Sequence, residues 1–146
     1  YQQGRAIAAQ CADALGSMQE ACKLTLDYLK TRKQFGVPIG KFQVLQHRMV
    51  DMQTELEQAT SMAILAATFA DGEDTDERRR VLAAAKYICT RAARKIAEEA
   101  IQLHGGIGMT WEYNLAHHAK RLVMIAHQFG DDDHHLKAYA QLLQVA

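Results

Sequence analysis

Apolar residues recur every three or four positions along most of this chain, which is the spacing of helices that bury one face. The first series is Ile7, Cys11, Ala14, Met18, Cys22, Leu26 and Leu29. The second is Phe42, Leu45, Met49, Met52, Leu56, Ala59, Ala63 and Ala66, and the third is Leu82, Ala85, Cys89, Ala92, Ile96, Glu99 or Ala100, and Leu103. These series predict three long helices whose small residues let the helix axes approach closely.

The predicted long helices are separated by residues that interrupt helical geometry. Pro38, between Gly36 and Gly40, follows the first series, and proline fixes its own φ and disfavours a helical conformation in the residue before it. Asp74, with Glu77 three residues later, is a capping-box pattern. It predicts that the third helix begins at this point.

Two shorter helices are predicted after the glycine-rich run from Gly105 to Gly108. Thr110 is suited to be the N-cap of a helix from Trp111 to about Ile125. Gly130 begins a last segment whose first turn carries aspartates at positions 131–133, where the helix dipole favours negative charge. The segments predict an all-α fold, an antiparallel up-and-down four-helix bundle with one additional short helix, that forms one domain over residues 1–146.

Composition and charge restrict the partners of this domain. There are 17 basic and 17 acidic residues without a basic stripe, so nucleic acid is not an expected partner. No apolar run approaches the roughly 18 residues of a membrane span. Cys11, Cys22 and Cys89 lack CxxC spacing and predict buried, reduced thiols in a cytoplasmic protein. The chain opens at Tyr1 without a Met, so we expect it to be part of a longer chain.

The seven histidines do not predict a metal site. His117 and His118 are adjacent, as are His134 and His135, and neighbouring residues on a helix point about 100° apart. The spacings that place two ligands on one helix face, Glu-x-x-His and His-x-x-x-His, do not occur. We therefore expect no bound metal.

Two of the breaks carry residues that suit an anionic, aromatic ligand. Arg32 offers a planar fork of donors for phosphate, and Phe35 offers a ring face. Gly105 and Gly106 allow a close approach of the backbone to a ligand because they lack a Cβ. Alternatively, Arg32 is a cation at a helix C-terminus, Phe35 caps the core, and the glycines end a helix beside a half-buried His104.

The same two segments resemble a known family. The stretch from Arg32 to Gln43 reads RKQFGVPIGKFQ, and the stretch from Gln102 to Gly108 reads QLHGGIG. Both are similar to the C-terminal helical domain of the acyl-CoA dehydrogenases, flavoproteins that desaturate acyl-CoA thioesters. The resemblance extends from about Gly4 to the C-terminus.

The resemblance implies FAD as the cofactor and acyl-CoA as the substrate. It places Arg32 at the FAD pyrophosphate of a neighbouring subunit, with Gln34 hydrogen-bonding and Phe35 packing on the flavin. It places Gln102, Gly105 and Gly106 along the adenosine and pyrophosphate side. Phe42 and Gln43 mark the entry to the second helix. A homo- or hetero-oligomer, a dimer or tetramer, is implied because each FAD site includes residues of a neighbour.

The chain departs from the family at the catalytic base. Family members usually carry a glutamate before a glycine that corresponds to Gly130, and Phe129 occupies that position here. Other relatives carry the glutamate near Gly4 or Ala6, and neither residue is a carboxylate. Asp131 is the candidate base within this chain.

Three alternatives to Asp131 remain open. In the first, the acids at 131–133 only favour a helix start; in the second, the base lies upstream of Tyr1; in the third, a different, catalytically complete subunit supplies it. The first function hypothesis is therefore the C-terminal domain of an FAD-dependent acyl-CoA dehydrogenase that catalyses α,β-desaturation, inactive in isolation. The second is a non-catalytic bundle subunit or oligomerisation module of a heteromeric acyl-CoA dehydrogenase.

Overall fold

The computed structural model describes residues 2–105, 114–127 and 132–145, and these ranges are almost entirely helical. The helices are α1 (Gln2–Thr31), α2 (Gln43–Phe69), α3 (Asp76–His104), α4 (Asn114–His127) and α5 (Asp132–Val145). The link from α1 to α2 contains the short strands β1 (Lys33–Gln34) and β2 (Val37–Pro38) and a 3-10 turn, Ile39–Lys41. The prediction of three long and two shorter helices is confirmed, and the hairpin was not predicted.

Helix α3 lies at the centre of the arrangement. It packs against all four other helices, and α1 packs in addition against α2 and α4. The short connection from Ala70 to Thr75 joins α2 to α3, as expected for neighbouring antiparallel helices. Among the described helices, none is both long and apolar enough to cross a membrane.

The core is formed where the three apolar series face one another. Small side chains dominate it, and the buried alanines of the three long helices include Ala14, Ala21, Ala59, Ala66, Ala85, Ala92 and Ala100. Two predicted core residues were wrong, since Leu26 is 40% exposed and Phe42 is 38% exposed. Leu26 lines a surface groove, and Phe42 precedes the first turn of α2, so neither is covered by a packed helix.

The start of α3 differs by one residue from the predicted capping box. Thr75 is the N-cap, and its Oγ1 accepts a hydrogen bond from the backbone N–H of Arg78 at 3.1 Å. Asp74 instead accepts two hydrogen bonds from the guanidinium of Arg79, at 2.9 and 2.7 Å. Because the Asp74 carboxylate is held by Arg79, the hydroxyl that follows it caps the helix.

The three cysteines are buried and free, as predicted. Cys22 has a pKa raised to about 11 because burial disfavours the thiolate. Cys11 and Cys89 lie on α1 and α3 and share a side-chain hydrogen bond beside the buried Lys86. The pKa of Cys11 is lowered, first by that hydrogen bond, while the same contact and burial raise the pKa of Cys89.

Candidate functional site

The hairpin between α1 and α2 is fixed at its base by the backbone of Arg32. Its N–H donates to the carbonyl of Tyr28 at 2.8 Å, and its carbonyl accepts from the N–H of Ile39 at the same distance. The side chain of Arg32 is exposed. Within the described residues its guanidinium has neither a hydrogen-bond nor an ion-pair partner. A cation is thus presented to solvent from a fixed backbone position.

The tip of the hairpin holds an exposed aromatic residue in a strained conformation. Lys33 pairs with Pro38 and Gln34 pairs with Val37, so Phe35 and Gly36 form a two-residue turn. Their φ angles are 56° and 80°, as the favoured two-residue hairpin turns require. Glycine adopts this region freely, whereas in an L-residue with a Cβ it costs about 1–2 kcal/mol.

Phe35 does not cap the core of this chain. It is 90% exposed, and its ring makes an edge contact with Phe42, with the ring centroids 6.3 Å apart. The alternative assignment of Phe35 to the core is therefore wrong. A strained, exposed aromatic residue is typical of a site where the strain serves function.

The second predicted segment begins at the C-terminus of α3. Gly105 has φ 63° and ψ −142°, a conformation that is essentially restricted to glycine. Its N–H donates to the carbonyl of Gln102, and both residues are exposed. A Cβ on Gly105 would meet no atom of the described residues within 4 Å, and the backbone conformation is what favours glycine here. Gly106 lies outside the described residues.

His104, which one interpretation of the sequence placed half-buried, connects the two predicted segments. His104 is 2% exposed, and its Nδ1 lies 2.8 Å from the carbonyl oxygen of Ala100. Its ring also hydrogen-bonds the backbone of Leu24 and stacks on Tyr28, with the centroids 4.5 Å apart. Burial lowers the pKa of His104, against the two backbone hydrogen bonds that raise it.

These contacts bring the two predicted segments to the same end of the bundle. Tyr28 lies four residues before Arg32, and His104 directly precedes Gly105. The stacked pair therefore joins the last turns of α1 and α3 immediately before the chain leaves each helix. Periodicity could not reveal this pair, because Tyr28 and His104 belong to different helices and neither contributes to an apolar series.

Packing leaves no room for a glutamate side chain at Gly4, one of the alternative positions for a catalytic base. A Cβ on Gly4 would collide with the end of the Arg78 side chain and would lie 2.9 Å from Cδ1 of Leu82. Arg78 is buried and donates to the carbonyls of Phe69 and Ala70, at 3.0 and 2.9 Å. A glutamate at position 4 thus has no room in this arrangement. Ala6 is partly exposed.

The predicted base and the residue that replaces the family's glutamate cannot be placed. Asp131 and Phe129 lie outside the described residues, as do Thr110 and Gly130. Helix α5 begins at Asp132, next to the predicted base. The role of Asp131 therefore stays a prediction.

A separate groove lies beside the hairpin. It has a volume of about 480 Å³ and a mostly apolar lining that includes Leu26, Leu29, Pro38 and Met49, with Lys30 and Lys41 also present. Of the predicted cofactor-binding residues that the structure describes, none lines it. The groove is thus distinct from the face that carries Arg32.

The described residues define a helical domain that presents a cation, an aromatic ring and a glycine turn at one end. Residues 3–143 match the family described as acyl-CoA dehydrogenase, C-terminal domain. The chain belongs to the acyl-CoA dehydrogenase family and corresponds to this C-terminal domain.

Individual relatives agree with that assignment. Acyl-CoA dehydrogenase IpdE2 of Mycobacterium tuberculosis is 39% identical over 110 residues, which are 75% of this chain and 32% of that protein. A structure described as the Tcur3481-Tcur3483 steroid ACAD G363A variant superposes with a TM-score of 0.90 at 28% identity, covering 96% of this chain and 38% of that one. A structure of PigA with FAD and proline gives 0.85 at 28% identity, covering 96% and 36%. The chain thus spans about a third of the length of such relatives.

Proposed function

We propose that this chain is the C-terminal part of an FAD-dependent acyl-CoA dehydrogenase and that it contributes residues to the FAD site of a neighbouring subunit. The enzyme would remove the α-proton of an acyl-CoA thioester while the β-hydride passes to the flavin. The face formed by Arg32, Gln34, Phe35, Gln102, Gly105 and Gly106 would bind the cofactor. A related fold has been solved with FAD, which supports this choice of cofactor.

The observation that carries the proposal is the hairpin that exposes Arg32 and Phe35. A guanidinium can meet a pyrophosphate through two parallel, charge-assisted hydrogen bonds. The phenyl ring of Phe35 can pack on an aromatic ring system, and its strained backbone keeps it in solvent. A hairpin that only connects two helices would require neither an unpaired cation nor an aromatic residue at positive φ.

The chain's own residues would bind and orient the cofactor from one side. Arg32 would neutralise pyrophosphate charge, and Phe35 would restrict the position of the ring system. Gly105 would leave space for the ligand, since its N–H is already bound to Gln102. FAD supplies the hydride acceptor when it is bound. The remaining surface of the cofactor would be covered by parts of the protein outside this domain.

The test is the FAD affinity of the whole flavoprotein. We expect Arg32→Ala to raise the Kd for FAD about 10- to 100-fold, because a hydrogen bond to a charged group contributes about 1.5–3 kcal/mol. Lys33→Ala is the matched control, since Lys33 is an exposed cation one residue away in the same hairpin. It should change the Kd less than about threefold. Equal FAD affinities for Arg32→Ala and the parent would refute the assignment.

A second candidate is that this chain is the supporting subunit of a heteromeric acyl-CoA dehydrogenase. The observation that favours it is the loss of both glutamate positions: Phe129 occupies one, and neither Gly4 nor Ala6, near the other, is a carboxylate. Asp131 would have to act as base with a shorter side chain set two positions away from Phe129. Proton transfer tolerates such misplacement poorly, which favours a glutamate from a partner subunit.

The two candidates differ in the response to Asp131→Asn. If Asp131 is the base, this variant of the whole protein should lose desaturation by about two to four orders of magnitude and still bind FAD and acyl-CoA. If the partner supplies the base, Asp131→Asn should retain activity, and activity should require a glutamate-bearing subunit. Stopped-flow flavin reduction with and without that subunit separates the outcomes.

A further inference from the structure

We propose that His104 is a positioning residue of the flavin site, which holds the last turn of α3 against α1 so that Gly105 and the hairpin keep a fixed relative placement. This inference rests on the proposed function. It assigns a role to a residue that need not touch the cofactor.

The ring of His104 contacts two helices, α3 and α1. On its own helix, Nδ1 lies 2.8 Å from the carbonyl of Ala100, four residues earlier. On α1, the ring hydrogen-bonds the backbone of Leu24 and stacks on Tyr28 with an interplanar angle of 28°. The ring is buried, so these polar contacts replace those that it would make to water.

Tyr28 and His104 each lie close to a predicted FAD-binding segment. The carbonyl of Tyr28 accepts the N–H of Arg32, and the carbonyl of Arg32 accepts the N–H of Ile39. A displacement of the last turn of α1 therefore moves both strands of the hairpin. On the other side, His104 is followed at once by Gly105, whose conformation redirects the chain out of α3.

Stacking on Tyr28 and a hydrogen bond to the backbone together require a histidine at position 104. Phenylalanine can stack on Tyr28 but cannot donate a hydrogen bond, and asparagine can donate but presents no ring. A neutral imidazole stacks on Tyr28 and donates one hydrogen bond through its single ring N–H, and burial, which lowers the pKa of His104, favours this uncharged form. A ligand held between two segments is sensitive to their separation, and a displacement of about 1 Å can cost a hundredfold in function.

The test uses FAD affinity in the whole flavoprotein. We expect His104→Ala to raise the Kd for FAD about 10- to 100-fold. Tyr28→Ala should do the same, whereas Tyr28→Phe keeps the stacked ring and should bind FAD as the parent does. The double variant Tyr28→Ala/His104→Ala should be no weaker than either single variant, because both remove one shared contact.

The control separates positioning from a general loss of stability. Cys89→Ala also truncates a buried side chain of α3, but in its middle and away from the hairpin. If Cys89→Ala lowers Tm as much as His104→Ala and weakens FAD binding equally, the effect is stability alone and the inference fails. Should His104→Ala not fold, Tyr28→Ala against Tyr28→Phe decides, since equal affinities for this pair overturn the inference.

The Arg32→Ala variant distinguishes this failure from failure of the proposed function. Weak FAD binding by Arg32→Ala together with parental binding by His104→Ala overturns the role of His104 only. If Arg32→Ala binds FAD as tightly as the parent, the proposed FAD-binding face is wrong, and the inference about His104 fails with it.

Discussion

The absence of a side chain at Gly4 leaves space for the residue that connects the end of α2 to the start of α3. The buried guanidinium of Arg78 passes next to Gly4 and donates to the last carbonyls of α2, those of Phe69 and Ala70. These carbonyls have no partner within the helix and require a donor from elsewhere. Arg78 therefore acts as the C-terminal cap of α2, and Gly4 leaves the space that it occupies.

We expect Gly4→Ala to destabilise the fold by about 1–3 kcal/mol, as overpacking of a buried contact does. The new methyl group would displace Arg78 from both carbonyls. Gly16→Ala is the matched control, because Gly16 also lies within α1 but faces open space. It should stabilise the fold by about 0.5–1 kcal/mol, since alanine is the better helix former. Urea denaturation of both variants measures the difference, and equal effects would disprove the role of Gly4.

Lys86 gives a second residue-scale prediction, on pH dependence. It is 1% exposed, and its Nζ hydrogen-bonds Oε1 of Gln10 at 3.1 Å. Burial lowers its pKa below the ordinary value of 10.5, against the opposing effect of the charges on Cys11 and Cys89. Between the lowered pKa of Lys86 in the folded chain and 10.5, the unfolded chain binds more protons, so the contribution of this group to stability rises with pH across that window.

We expect Lys86→Met to melt at a higher temperature than the parent at pH 7. The difference should narrow as the pH approaches 10.5, because the penalty that burial places on the protonated amine disappears once Lys86 is neutral in the unfolded chain as well. Lys95→Met is the control, since Lys95 is exposed and pairs with Glu55 at 3.0 Å. Differential scanning calorimetry across this range checks the trend. A difference that widens with pH for Lys86→Met would contradict it.

At the scale of elements, the hairpin combines local strain with proposed function. The φ angle of 56° at Phe35 lowers the stability of the fold. Its exposed ring offsets little of that cost within this chain. Asparagine adopts positive φ more readily than phenylalanine. Phe35→Asn should therefore stabilise the fold by about 1 kcal/mol while weakening FAD binding. Thermal melts and FAD titrations of the same variant measure both effects, and a variant that loses stability would show that the ring packs in the folded chain.

The elements also show what the sequence could and could not predict. Helix periodicity located α1, α2 and α3 because a helix with one buried face repeats its apolar residues. It could not predict the β1–β2 hairpin, since two-residue strands have no period, nor the positive φ of Phe35, which the hairpin register imposes. The capping pattern placed the start of α3 within one residue, and the pairing of Asp74 with Arg79 decided between Asp74 and Thr75.

For the candidate site, the sequence singled out two segments but could not predict how they are joined. Arg32, Gln34 and Phe35 are exposed at the hairpin, Gln102 is exposed in the last turn of α3, and Gly105 is exposed directly after it. The contact of Tyr28 with His104 depends on the packing of α1 against α3, and only the tertiary structure could reveal it.

At the scale of the whole molecule, α2 leaves apolar residues uncovered. Val44, Val50 and Ile64 are exposed along this helix, although Met52, Leu56 and Ala59 bury its other face. Exposed apolar surface on a helix is available to pack against another protein. It supports a dimer or tetramer, which the proposed sharing of the FAD site between subunits also requires.

We expect the chain to sediment as a dimer or tetramer at micromolar concentration. Ile64→Lys should shift it toward the monomer, because a lysine would have to be buried in the interface. Gln58→Lys is the control, since Gln58 is exposed and polar and lies about 120° around the same helix from Ile64. Analytical ultracentrifugation of the three proteins measures the distribution. A monomeric parent at high micromolar concentration would contradict the expectation.

The hairpin of this chain, as proposed, binds the pyrophosphate of an FAD. The most direct measurement is the distance between the guanidinium of Arg32 and the pyrophosphate oxygens in a structure of the whole flavoprotein with FAD bound. We predict two parallel contacts of about 2.7–2.9 Å, with the ring of Phe35 packed on the cofactor. A bound FAD whose pyrophosphate lies beyond about 6 Å from Arg32, outside the range of direct or single-water contacts, would contradict the claim.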